Sequence, residues 1–160
     1  MATDDPTLCR LALWRVSGVG PQTWSHLMAA FGDPPGVFRA GRSALRAVGL
    51  PPRTVEGILA PDWERARADA AWAAADPGRR LIPRGDPDYP AALAEIPDPP
   101  PLLFATGRVE ALHRLQVAIV GSRHASAAGT ELAEELAAAL ARRGVAVTSG
   151  LAAGIDAAAH

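Results

Sequence analysis

Apolar positions in this chain follow two regimes. Between Leu8 and Leu59 they recur three and four residues apart in short stretches, broken by glycine and proline. Leu8–Val16 is apolar with Arg10 and Arg15 on its polar side. Trp24, Leu27, Met28 and Phe31 then fall at i, i+3, i+4 and i+7, the spacing of one buried helix face. Helices are expected over 8–16 and 22–31, with Pro21 in the first turn of the second, and Gly32-Asp33-Pro34-Pro35-Gly36 is expected to end that helix. Another helix starts at Pro61-Asp62-Trp63 and runs to about Ala75, closed by Asp76-Pro77-Gly78.

Beyond residue 79 the apolar residues gather into short runs. Arg80–Pro83, Leu102–Ala105, Gln116–Val120 and Val145–Thr148 are expected to be strands, the third covered on both faces as in a parallel sheet. Between the last two, residues 127–143 carry Glu131, Glu134 and Glu135 early and Arg142 and Arg143 late, followed by Gly144. That charge order suits a helix dipole, and glycine suits the position after a helix C-terminus. Leu132, Leu136, Ala139 and Leu140 are expected to face the sheet. The prolines of the connection (Pro90, Pro97, Pro99, Pro100, Pro101) alternate with Leu93, Ile96 and Leu102, so that segment is expected to be ordered and extended rather than a linker.

Two of these runs end in the same way. The third stops at Gly121-Ser122-Arg123-His124-Ala125-Ser126, and the fourth at Ser149-Gly150-Leu151-Ala152-Ala153-Gly154 before Ile155-Asp156. Strand–glycine–helix junctions place backbone N–H groups and a helix N-terminus at the C-terminal edge of a parallel sheet, where an anion can sit. A right-handed strand–helix–strand unit brings both loops to one edge. The candidate phosphate ligands are Gly121, Ser122, Arg123, Ser126, Ser149, Gly150 and Gly154. A plainer reading stands beside this: Ser126 as a helix cap and Arg123 as a solvated charge. Asp156 can orient Arg123, cap the last helix or bond to backbone.

Nearer the N-terminus, Gly18-Val19-Gly20-Pro21-Gln22-Thr23-Trp24 aligns with Gly49-Leu50-Pro51-Pro52-Arg53-Thr54-Val55, a weak repeat of tight turn and proline-started helix. In a tandem helix-hairpin-helix, Gly18, Val19 and Gly20 offer backbone contacts to DNA phosphate. Short glycine turns more commonly just join packed helices.

Composition narrows the function classes. The net charge of −1 over 160 residues makes no global case for nucleic-acid or membrane binding, so any such site is local. Residues 1–60 carry six Arg against four acids and residues 61–160 ten Arg against thirteen; there is no Lys. A single Cys9 excludes an internal disulfide and fits a reducing compartment. No apolar run approaches the ~18 residues of a membrane span, and Asp4 and Asp5 do not suit a secretory signal. A cytoplasmic protein is expected. His26, His113, His124 and His160 are scattered, with no triad, metal cluster or acid pair, so neither catalysis, cofactor nor metal is expected.

Three segments together resemble the DNA-processing protein A (DprA/Smf) family. Tyr89–Phe104, with its Tyr-Pro and Asp-Pro-Pro pairs, is similar to the family's entry segment, and Val117–Gly129 to its Gly-Ser-Arg phosphate loop. Ser149–His160 matches every fixed position of its Ser-Gly-Leu-Ala-x-Gly-Ile-Asp-x-x-Ala-His block. The resemblance implies an α/β fold: a truncated, extended Rossmann-like parallel sheet after a small all-α helix-hairpin-helix or SAM-like domain. The implied organisation is that helical domain over residues 1–60, a connecting helix over 61–78, and over 79–160 the first part of a DNA-binding domain that continues further in family members. Left incomplete, such a sheet would keep an open apolar edge, an association hazard.

The implied function is binding and protection of single-stranded DNA entering in natural transformation, with loading of the RecA recombinase, as a homodimer when full length. By that resemblance Gly121, Ser122 and Arg123 hold backbone phosphate while Ser149, Gly150 and Gly154 line the neighbouring loop. Ala128 and Ala153 stand where the family usually has an aromatic and often a basic residue, which implies weaker affinity. The same loop chemistry also suits a nucleotide-binding or nucleotide-hydrolysing Rossmann-like enzyme. An interaction module worked by the N-terminal helices is the third reading.

Overall fold

The computed structural model describes residues 4–160. Its contacts divide the chain into two compact units, one extending through Val109 and the other Glu110–His160.

The first unit opens with helices α1 (Pro6–Trp14), α2 (Pro21–Phe31), α3 (Pro34–Arg39), α4 (Arg42–Ala47), α5 (Pro52–Leu59) and α6 (Trp63–Ala74). Several carry proline in the first turn, where the missing N–H costs nothing and the fixed φ suits a helix. The segment read as the end of α2 starts α3. The Asp33 carboxylate caps it by accepting the Gly36 N–H at 2.6 Å, and Pro34 and Pro35 fill the first turn.

Leu13, Trp24, Leu27, Val37, Leu45, Val55 and Ile58 form the core of this bundle. Trp14 meets Trp24 edge to face at 6.4 Å between centroids. The turns of the repeat correspond: Gly18 and Gly49 both take left-handed φ, +91° and +80°.

Strands β1 (Arg79–Pro83) and β2 (Leu102–Thr106) pair antiparallel, Leu81 opposite Phe104. They belong to the first unit because Leu81 and Leu102 pack with Leu11, Ala12 and Ala66 of α1 and α6. The sequence reading instead divides the chain at residues 60 and 78. The proline-rich connection between the strands holds a one-turn helix, α7 (Ala91–Ala94), and is tied down. The Tyr89 hydroxyl donates to the Pro100 carbonyl at 2.7 Å, and Gln22 Nε2 donates to Asp98 at 3.1 Å.

The second unit contains β3 (Gln116–Ala118), α8 (Ala127–Arg142), β4 (Ala146–Thr148) and the short α9 (Ile155–Ala158). Strands β3 and β4 pair in parallel, Val117 opposite Val147, so the four strands form two separate pairs rather than one parallel sheet.

Ser126 caps α8, accepting the Gly129 N–H at 3.2 Å. Of the leucines expected to face the sheet from α8, only Leu140 packs. Ala133 and Ala137, with Leu140, meet Ile119, Val147, Ile155 and Ala159, leaving Leu132 (64 % exposed) and Leu136 (48 %) outward. Small alanines let the helix axis lie close to the strands, which a leucine ridge would hold off. Strand β3 is likewise exposed rather than covered on both faces, since α8 and α9 pack around Ile119 beyond its end.

Candidate functional site

The two glycine loops interlock, and three contacts hold them. Asp156, at the start of α9 and buried, reaches back across both loops. Its Oδ1 accepts the Gly121 N–H at 3.0 Å and its Oδ2 the Gly150 N–H at 3.1 Å. The Ser149 hydroxyl donates to the Asp156 carbonyl at 3.3 Å. In the second contact, Ile155 N–H donates to the Ser122 carbonyl at 3.1 Å.

The third contact is steric. Gly154 has φ +83° and ψ −129°, and a methyl group there would overlap the Ser122 carbonyl and lie 2.9 Å from the Arg123 carbonyl. Gly121 is equally confined: a side chain would begin 2.7 Å from Ile155. Glycine is required at 154 by conformation and space together, and at 121 by space.

These bonds set the electrostatics. The Gly121 N–H, followed by the Ser149 hydroxyl and the Gly150 and Ala152 N–H groups, holds the Asp156 carboxyl below its ordinary range, against the opposing effect of burial. Among the alternatives the sequence leaves open for Asp156, the backbone bond is the one observed. Gly121 and Gly150 therefore spend their N–H groups on an internal carboxylate.

What faces outward is different. Ser122 and Arg123 are exposed. Ser122 Oγ accepts the His124 N–H at 3.1 Å, and Arg123 makes no ion pair among the described residues. Ser126 takes the Gly129 N–H, and the first-turn N–H groups of Ala127 and Ala128 have no partner inside α8. Loops 121–126 and 149–154 thus meet as the spacing suggests, with Gly121, Ser149, Gly150 and Gly154 forming the joint and Arg123 standing free beside a helix N-terminus.

The hairpin residues lie in the first unit. Val19 is buried in the core, Gly18 lies tight against the Thr54 side chain, and Gly20 begins α2 with open space around its Cα. Thr54 Oγ1 donates to the Ser17 carbonyl at 3.2 Å, so the two halves of the repeat brace each other. Sequence reasoning allowed Asp156 a backbone bond; what it missed is the tie that its two oxygens make between the loops. Its only signal was an acid two residues after a glycine at the second junction. Leu151, left-handed at φ +55° and exposed, had none.

A parallel strand–helix–strand unit with its two strand-end loops bound together, carried with a helical bundle and a β-hairpin, defines a mixed α/β protein with a polar, basic loop edge. The chain belongs to the DNA recombination-mediator protein A family, whose sequence model matches residues 80–160.

Protein Smf of Escherichia coli K12 is 38% identical over 116 residues, 72% of this chain and 31% of that protein. Protein Smf of Synechocystis is 34% identical over 157 residues, covering 94% of this chain and 39% of the relative. The X-ray structure of DNA processing protein A (DprA) from Streptococcus pneumoniae superposes with a TM-score of 0.65 at 28% identity, over 96% of this chain and 52% of that one. The matches span between about a quarter and a half of the length of the proteins matched.

Proposed function

We propose that this chain supplies the phosphate-gripping part of a DNA-processing protein that binds single-stranded DNA without catalysis. The observation that carries this reading is Arg123: exposed, without an acidic partner among the described residues, and projecting from a loop braced by Asp156 and Gly154. A guanidinium on a rigid loop beside unpaired helix N–H groups suits a phosphodiester, and nothing in that arrangement reads a base edge. The β3–α8–β4 unit is read as the first strand–helix–strand of a Rossmann-like sheet. Family membership supports the wider role: protection of DNA entering in natural transformation and loading of RecA, as a cytoplasmic homodimer in the full-length protein.

Titration of the chain with oligo-dT and with dTMP, followed at the amides of residues 121–128, tests this. Saturable shifts are expected at lower concentration for oligo-dT, because a strand adds further phosphates. Tighter binding of dTMP, or its turnover, would assign the loops to a nucleotide-binding enzyme instead.

A further inference from the structure

We propose that an open cleft of about 560 Å³ on the first unit, lined by α1, α2, the turn into α3 and the turn after β1, is a second phosphate-binding site, with Arg10 and Arg84 as its ligands. It goes beyond the loop site of the second unit and does not depend on it. Several arginines of the unit are held by acids. Arg15 holds Asp69 in two hydrogen bonds of 2.6 Å, Arg42 holds Glu56, and Arg80 holds Asp88. Arg10 has no such partner among the described residues. It is partly buried and its Cζ lies 5.9 Å from the Trp24 ring centroid, within reach of a cation–π contact that leaves its N–H donors without a protein acceptor among the described residues. A partly desolvated guanidinium favours an anionic acceptor that matches its planar fork.

Arg84, on the exposed turn after β1, lines the same cleft and forms no ion pair among the described residues. The acid in the lining, Asp33, is committed elsewhere. Its carboxylate caps α3 through the Gly36 N–H at 2.6 Å and lies 3.6 Å from Arg39. The balance left in the cleft is positive. Its volume exceeds what a bare phosphate fills and lies in the range of small-molecule sites, so the attached sugar and base fit beside it. The ligand chemistry is thus a nucleotide phosphate, from a free nucleotide or from a strand.

The experiment follows the side-chain Nε–Hε resonances of Arg10 and Arg84 while the whole chain is titrated with inorganic phosphate, AMP and oligo-dT at constant ionic strength. Saturable movement of Arg10 is expected, about tenfold weaker in Arg84→Ala. In Arg10→Met, which keeps the stem against Trp24, the Arg84 response should disappear. The amides of residues 121–128, followed in the same titrations, separate this site from the loop site: Arg84→Ala should leave their response to phosphate and AMP unchanged. Saturation by AMP with no gain from oligo-dT identifies a free nucleotide as the source, and tighter binding of oligo-dT identifies a strand. Movement that chloride reproduces, absence of saturation with all three probes, or binding indifferent to both substitutions would overturn the proposal.

Discussion

Gly154→Ala should open the joint between the two loops and leave the helical unit untouched. At φ +83° and ψ −129° residue 154 occupies a region that side chains avoid, at a cost of about 1–3 kcal/mol. The added methyl also overlaps the Ser122 carbonyl and crowds that of Arg123, both backbone atoms, so no rotamer change relieves it. Taking about 2 kcal/mol, the middle of that range, the joint should open about 30-fold more often.

The assay has to be chosen for the right unit. Trp14, Trp24, Trp63 and Trp72 all lie in the unit that ends at Val109, so tryptophan fluorescence reports that unit. Amide hydrogen exchange at Gly121, Gly150 and Ile155, whose N–H groups form the joint, reads the other. The expected result is loss of protection at those three amides with an unchanged fluorescence melt. Gly49→Ala is the contrast: φ is +80° but nothing lies within 4 Å. It should cost only about 1 kcal/mol for the backbone conformation, and that loss should appear in the fluorescence melt. Wild-type protection in Gly154→Ala would refute the steric argument.

Two further predictions concern the second unit. Leu132→Ala, on the outward face of α8, should change stability by less than about 0.5 kcal/mol, whereas Ala133→Leu should destabilise by about 1–3 kcal/mol; amide exchange along α8 distinguishes them. Because folding lowers the Asp156 pKa below its ordinary 3.8, the carboxylate's contribution is fully present above that value and is lost as pH falls through the folded pKa. Protection of the Gly121 and Gly150 amides should therefore fall in acid, and Asp156→Asn should flatten that dependence.

Periodicity located most elements because it reports burial directly. The Trp24–Phe31 spacing, the four apolar runs and the charge order of α8 each correspond to an observed element. It failed where two meanings share one signal. Pro34-Pro35-Gly36 reads as a breaker, yet the same prolines start α3 once Asp33 caps it. Leucine outranks alanine as an indicator of a buried face, but α8 packs through Ala133 and Ala137 because close approach to the strands favours small side chains.

The junction glycines were legible as a site. The distinction between Gly121 and Gly154, which build the joint, and Arg123, which stands free of it, was not. That distinction depends on where Asp156 sends its two oxygens, a long-range contact with no local pattern. Equally, nothing in the spacing of β1 and β2 revealed that α1 and α6 would cover them rather than a shared sheet.

The central claim, that the interlocked loops present Arg123 to backbone phosphate, is tested most directly by the salt dependence of oligo-dT binding to the wild-type chain and to Arg123→Ala. Wild-type affinity should fall linearly on a log–log plot against salt. Arg123→Ala should weaken binding about equally for every sequence and reduce that slope by about one. An unchanged affinity and slope in Arg123→Ala would contradict the claim.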